Sequence, residues 1–166
     1  MKHAYFGTLT TNDSEDMDVV WEQPQTLGSR EVSTCLWAGQ TLSQQTLDAF
    51  ATHLRDLPAL DALAREFLLA ELTRDDEFMA HHLNHLAHFP ALAAIAPEGR
   101  ISVDGFVKAM VLTHVSLRAE EPPRLVMDYY IDPEHSGEIL AVNLDLNGKR
   151  NAVDWDNCYG PFTSPT

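Results

Sequence analysis

The chain has 166 residues, a length that suits one domain, and 45% of them are hydrophobic, enough for an ordinary core. Against 25 acidic side chains stand 11 basic ones, a formal charge of −14. Such a surface repels phosphate, which argues against nucleic acid and anionic membranes as partners and favours a basic protein or a cation. No apolar run nears the ~20 residues of a membrane span, the first residues lack a signal peptide's apolar core, and Cys35 and Cys158 form no CxxC pair. These features predict a soluble, cytoplasmic protein with reduced thiols.

Tyr5 to Leu9 is a short strand candidate, and the polar, acidic stretch Thr10 to Asp18 reads as a loop. Asp13 to Asp18 lacks the central Gly and distal Glu of a calcium-binding EF-hand loop, so it is read as solvated. Met17, Val19 and Trp21 alternate with Asp18, Val20 and Glu22 in a strand expected to end near Pro24. After the Gly28-Ser29 turn, Val32, Thr34 and Leu36 form the more apolar set of a second strand, with Cys35 as a packed thiol and not a nucleophile.

At Thr41 the period changes. Thr41-Leu-Ser-Gln44 has the form of a capping box, and Leu47, Phe50, Ala51 and Leu54 follow at helical spacing. Asp56 and Pro58 open a second helix whose apolar stripe runs from Leu60 to Leu72. Asp75 opens a third, from about Asp76 to Phe89, interrupted by Pro90, and Leu92 and Ile95 suggest one further turn. Ser102 or Asp104 caps a short helix through Phe106 and Met110. β-branched Val111, Thr113 and Val115 then favour a strand.

The stretch from Arg124 to Asp156 reads as a three-stranded antiparallel meander, roughly 124–131, 138–146 and 149–156. Leu125, Met127 and Tyr129 occupy one face of its first strand, and Leu140, Val142 and Leu144 one face of its second. Asn147-Gly148 predicts a type I′ hairpin. The expectation is a single α+β domain spanning 1–166. N-terminal strands at about 5–38 and C-terminal strands at about 111–156 build a mainly antiparallel sheet. Helices at about 42–96 and 102–110 cover one face of it, and the tail 157–166 is irregular.

Phe6-Gly7-Thr8-Leu9, Trp21-Glu22, Asp128-Tyr129-Tyr130-Ile131-Asp132-Pro133-Glu134, Glu138-Ile139-Leu140-Ala141-Val142 and Asn147-Gly148 together resemble a family of small bacterial proteins catalogued as a domain of unknown function. The resemblance covers both ends of the chain. It implies a cytoplasmic α+β domain and assigns no catalytic residues.

Chemistry concentrates in the third helix. His81, His85 and His88, at i, i+4 and i+7, fall within about 60° on a continuous helix and form a candidate transition-metal stripe for Zn or Ni. HExxH is absent, so a further ligand has to come from elsewhere, with Asp128, Glu134 and His135 as candidates. The plainer reading makes His82 a satisfied, partly buried residue and leaves the other three solvated. Asp128, Asp132, Glu134 and Glu138 gather near one turn, a setting in which paired carboxylates can do acid–base work. There is no GxSxG, Walker loop or GxGxxG. Two functions compete. One is a non-enzymatic protein that binds a basic partner through an acidic surface, in the manner of an immunity protein. The other is a metal-binding protein or metal-dependent hydrolase centred on the histidine stripe.

Overall fold

Alternation along each strand decides which side meets the core. In the computed structural model, which describes residues 1–13 and 16–157, six strands join one sheet in sequence order, β3 to β8. Strands β1 (Lys2–His3) and β2 (Gly7–Thr8) form a separate small pair. They are followed by β3 (Asp18–Leu27) and β4 (Arg30–Ala38). The helices are α1 (Gln44–Arg55), α2 (Leu57–Arg74), α3 (Glu77–Leu83), α4 (Pro90–Ala93) and α5 (Val103–Ala109). The chain closes with β5 (Val111–Arg118), β6 (Arg124–Tyr130), β7 (Glu138–Asp145) and β8 (Arg150–Asn157). The architecture is the expected α+β, with a mostly antiparallel sheet. No helix among the described residues is long and apolar enough to cross a membrane.

Every neighbouring pair in the sheet is antiparallel except β4 and β5, which run parallel with Ser33 opposite His114 and Trp37 opposite Arg118. A parallel pair cannot be closed by a tight turn and needs a crossover, here the helical middle of the chain. The covered face carries Val32 and Leu36 from β4, Val115 and Leu117 from β5, Leu125 and Met127 from β6, and Val142 and Leu144 from β7, all with no exposed surface. Leu47, Phe50, Ala64, Leu68 and Leu72 of α1 and α2 join them in one cluster. The alternate residues, among them Cys35, Ser116, Val126 and Asp128, stay half-buried.

A polar knot ties the layers. The Tyr129 hydroxyl donates to Asp61 Oδ1 at 2.7 Å, and Arg65 Nε donates to both Asp61 oxygens at 3.1 and 3.0 Å. Arg65 Nη1 reaches the Val107 carbonyl at 2.7 Å, and the guanidinium lies 5.2 Å from the Tyr129 ring centre. Burial, then the Asp61 charge, pushes the Tyr129 hydroxyl far above the ordinary phenol range, so it remains a donor.

Several local expectations are corrected. Tyr5 and Phe6 lie in a turn, not a strand, because His3 Nδ1 accepts both of their amides, at 3.0 and 3.4 Å. Strand β3 runs through Pro24 to Leu27; it is an outermost strand, where a residue without an amide donor breaks no ladder. Ser43 caps α1, its Oγ accepting the Thr46 amide at 3.1 Å, so the box does not begin at Thr41. The β7–β8 turn is not type I′. Asp145 pairs with Lys149 around a three-residue loop, and Gly148 has φ +76° while Asn147 is not among the positive-φ residues. That is a type I turn closed by a left-handed glycine. The third helix ends at Leu83; a 3₁₀ turn, Leu86–His88, follows, and Phe89 is extended because Pro90 succeeds it. Ser14, Glu15, Cys158 and the tail 159–166 lie outside the described residues, and with them the question of a Cys35–Cys158 pairing.

Two neighbours in β5 test the two-sidedness of the sheet. Leu117→Ala, on the covered face, is expected to lower unfolding stability by ~2–5 kcal/mol, and Ser116→Ala by less than about 1 kcal/mol, as read from urea denaturation. Equal losses would mean that both faces are packed alike.

Candidate functional site

Helix α3 and the β6–β7 turn meet at a corner held by one buried imidazole. His82 has no exposed surface and lies between the Phe78 and Phe89 rings, at 4.6 and 4.7 Å. Its Nδ1 donates to the Phe78 carbonyl at 2.9 Å, which leaves Nε2 to accept from the Ser136 hydroxyl at 2.8 Å. The Ser136 oxygen also accepts the Glu138 amide at 3.2 Å. Both partners suit a neutral ring, and burial, reinforced by His81, lowers the His82 pKa despite the opposing pull of the Phe78 carbonyl. Asp132 is 2% exposed; it accepts the Ala91 amide at 3.1 Å and faces His135 Nδ1 at 2.9 Å. The corner therefore joins α3 and α4 to the sheet through side chains that are saturated with partners.

The remaining histidines are arranged differently from the expected stripe. Because α3 stops at Leu83, His81 stands on the helix, His85 follows it in irregular chain, and His88 sits in the 3₁₀ turn. His81 is half-buried, and His85 and His88 are exposed. The His81 and His85 ring centres are 5.6 Å apart, and those of His85 and His88 are 6.2 Å apart. His85 Nδ1 donates to the His81 carbonyl at 2.9 Å. Among the described residues no group of three His, Cys, Asp or Glu side chains is placed to hold a metal ion. Asp128 lies on the uncovered face of the sheet beside His114, away from the helices. Glu134 is exposed in the β6–β7 turn, and His135 is occupied by Asp132. Asp132 is engaged by the Ala91 amide and His135, and Glu138 by the Trp155 indole.

Sequence reasoning did not anticipate the surroundings of Trp155. It sits on β8, an outermost strand, opposite Leu140, and is 44% exposed. Its ring meets Phe78 at 5.2 Å and His81 at 5.6 Å, and its Nε1 donates to Glu138 Oε2 at 2.6 Å. A small cleft beside it, about 60 Å³, is lined by Glu71, Asp75, Glu77, Phe78 and Val153. Glu71 is neutralised by Arg74 and by Arg150, the latter at 3.1 Å, so Asp75 and Glu77 supply the net charge. Asp154 and Asp156 flank the tryptophan in sequence but lie on the other face of β8, where Asp154 accepts from Asn143 Nδ2 at 3.0 Å. Apart from the Asp-Trp-Asp spelling, nothing local announces the site, since its acids come from α2, α3 and β7.

Together these features define an α+β protein with a saturated structural corner and an acidic, aromatic-centred edge. Comparison of the chain with protein-family models, curated proteins and solved structures gives no match.

The neutral state of His82 carries a pH signature. An unfolded imidazole titrates near ~6.5. The folded value is lower, so the unfolded chain takes up the proton first. This contribution to stability is complete above that pH and is lost as pH falls toward the folded value. Urea unfolding of wild type should show a larger stability loss between pH 7.5 and 5.5 than His82→Gln; equal losses would contradict the assignment.

Proposed function

We propose that this chain is a non-enzymatic cytoplasmic protein that binds a basic protein through the acidic edge around Trp155, in the manner of an immunity protein. The observation that carries the reading is the half-exposed tryptophan on an outermost strand, bordered by Asp75, Glu77 and Glu138. Tryptophan is enriched at the energetic centres of interfaces because it buries much area at little entropic cost. The surrounding carboxylates attract Lys and Arg and select against acidic competitors. Among the described residues β8 has no strand on its outer side, so its outward amides and carbonyls suit an added strand from a partner. The formal charge of −14 supports the same partner chemistry over long range.

The test is retention of basic proteins by immobilised wild type and by Trp155→Ala, at low and moderate salt. The expected outcome is a salt-sensitive basic partner whose affinity drops at least ~30-fold in the variant, the scale of a ~2 kcal/mol anchor. Recovery of no basic protein at either salt would dispose of the reading.

A second reading rests on the 5.6 Å separation of the His81 and His85 rings. With His85 Nδ1 engaged by a carbonyl, its Nε2 is the free ligand atom, and two imidazoles can share Zn or Ni with water filling the other positions. Calorimetry with zinc should give at least tenfold weaker binding for His85→Ala than for wild type. An unchanged isotherm would remove His85, and this site with it.

A further inference from the structure

At the edge of the sheet opposite to β8, a crevice of about 530 Å³ opens between β3 and the junction of α1 with α2. Its depth is apolar. Leu54 and Leu57, on either side of that junction, both line it and are 4% and 3% exposed. The polar side chains around it are of one kind: Arg55, Gln23, Gln25 and Thr26 all bring hydrogen-bond donors, and no carboxylate is among the described residues that line it.

Arg55 is the charged member. Arg65, Arg74, Arg118, Arg124 and Arg150 are each in an ion pair, whereas Arg55 has no such partner among the described residues. Its guanidinium lies over the Tyr5 ring, 5.3 Å from the centre. A guanidinium resting on an aromatic face keeps its in-plane N–H fork for another acceptor. Its sequence neighbour Asp56 is engaged at the start of α2, where Oδ1 accepts the Ala59 amide at 3.3 Å. Tyr5 is itself held, since its amide donates to His3 Nδ1 at 3.0 Å and its hydroxyl to Gln25 Oε1 at 3.3 Å. That second bond leaves the Gln25 Nε2 hydrogens for a guest.

We propose that this crevice is a binding site for a small organic monocarboxylate with an apolar body, an aryl- or alkyl-alkanoate. The carboxylate pairs with the fork of Arg55 and accepts from Gln25, and the body lies against Leu54 and Leu57. One guanidinium among neutral amides balances one negative charge and leaves the second charge of a phosphate unmatched. The formal charge of −14 also repels anions in general, so a carboxylate that binds has to be held locally. The volume falls within the ~300–1,000 Å³ of small-molecule sites. Pro24 offers no amide on β3, so side chains and not an added strand make the contacts. The site is remote from Trp155 and does not rest on the proposed protein partner.

Titration of nitrogen-15-labelled protein with sodium phenylacetate and with sodium hexanoate tests the proposal, read at the side-chain resonances of Gln23, Gln25 and Arg55. At least one carboxylate should give saturable shifts with a Kd of about 1 mM or below, as suits a ligand of about ten non-hydrogen atoms. Phenylacetamide, nearly the same shape without the charge, should bind at least tenfold more weakly, and so should the carboxylates to Arg55→Gln. Arg55 is exposed and makes no ion pair among the described residues, so Arg55→Gln should melt within ~2 °C of wild type, which separates lost binding from lost folding. No saturable shift at these side chains with either carboxylate up to ~20 mM would overturn the proposal. Equal binding of phenylacetamide, or of the carboxylates by Arg55→Gln, would overturn it as well.

Discussion

The parallel pairing of β4 with β5 is the constraint from which the rest follows. Two parallel neighbours need a connection that returns the chain to its starting end, and the residues between Ala38 and Val111 provide it as helices. Lying over one side of the sheet, those helices bury a continuous apolar layer that runs from Val32 to Leu144. The other side carries the alternate residues, among them the half-buried Cys35, Ser116, Val126 and Asp128. The same topology makes β3 and β8 the outer strands, and so determines where a partner could add to the sheet.

Polar groups fix how the two layers sit. Asp61, Arg65 and Tyr129 form a closed set in which α2 grips the C-terminal end of β6, and Arg65 also reaches α5 through the Val107 carbonyl. His82 and Ser136 do the same for α3 and the β6–β7 turn, and Asp132 for α4. Each buried donor in these sets meets an acceptor, which is the condition for burying it at tolerable cost. Such pairings have one good geometry, so they select a single arrangement of helices over the sheet, where apolar contacts alone tolerate sliding. They also occupy the groups that, from composition, looked most reactive. His82 and Asp132 serve structure, and the chemistry left facing water is charge and aromatic surface.

That surface divides in two. Around Trp155 the acids Glu71, Asp75, Glu77 and Glu138 stand on the helix side of the last strand. On the reverse side, Arg118 and Arg124 share Glu120, and Asp128 lies beside His114. A chain of charge −14 repels its own copies over long range, so self-association depends on close and specific pairing, whereas capture of a basic protein is aided from a distance.

Period-two alternation in β4, β6 and β7, the stripes of α1 and α2, and the Ser102 cap of α5 were all legible in the sequence, because they depend on residues within a few positions of one another. So was the α+β class. Tertiary structure alone decided the parallel register of β4 on β5, the break of the histidine stripe after Leu83, and the gathering of Glu71, Asp75, Glu77 and Glu138 around Trp155. Each of these joins segments far apart in the chain or, as with the bend before Pro90, balances helix propensity against packing of the neighbouring turns. Local pattern fixes which side of an element is greasy; which element it meets is a matter of the whole chain's closure entropy and fit.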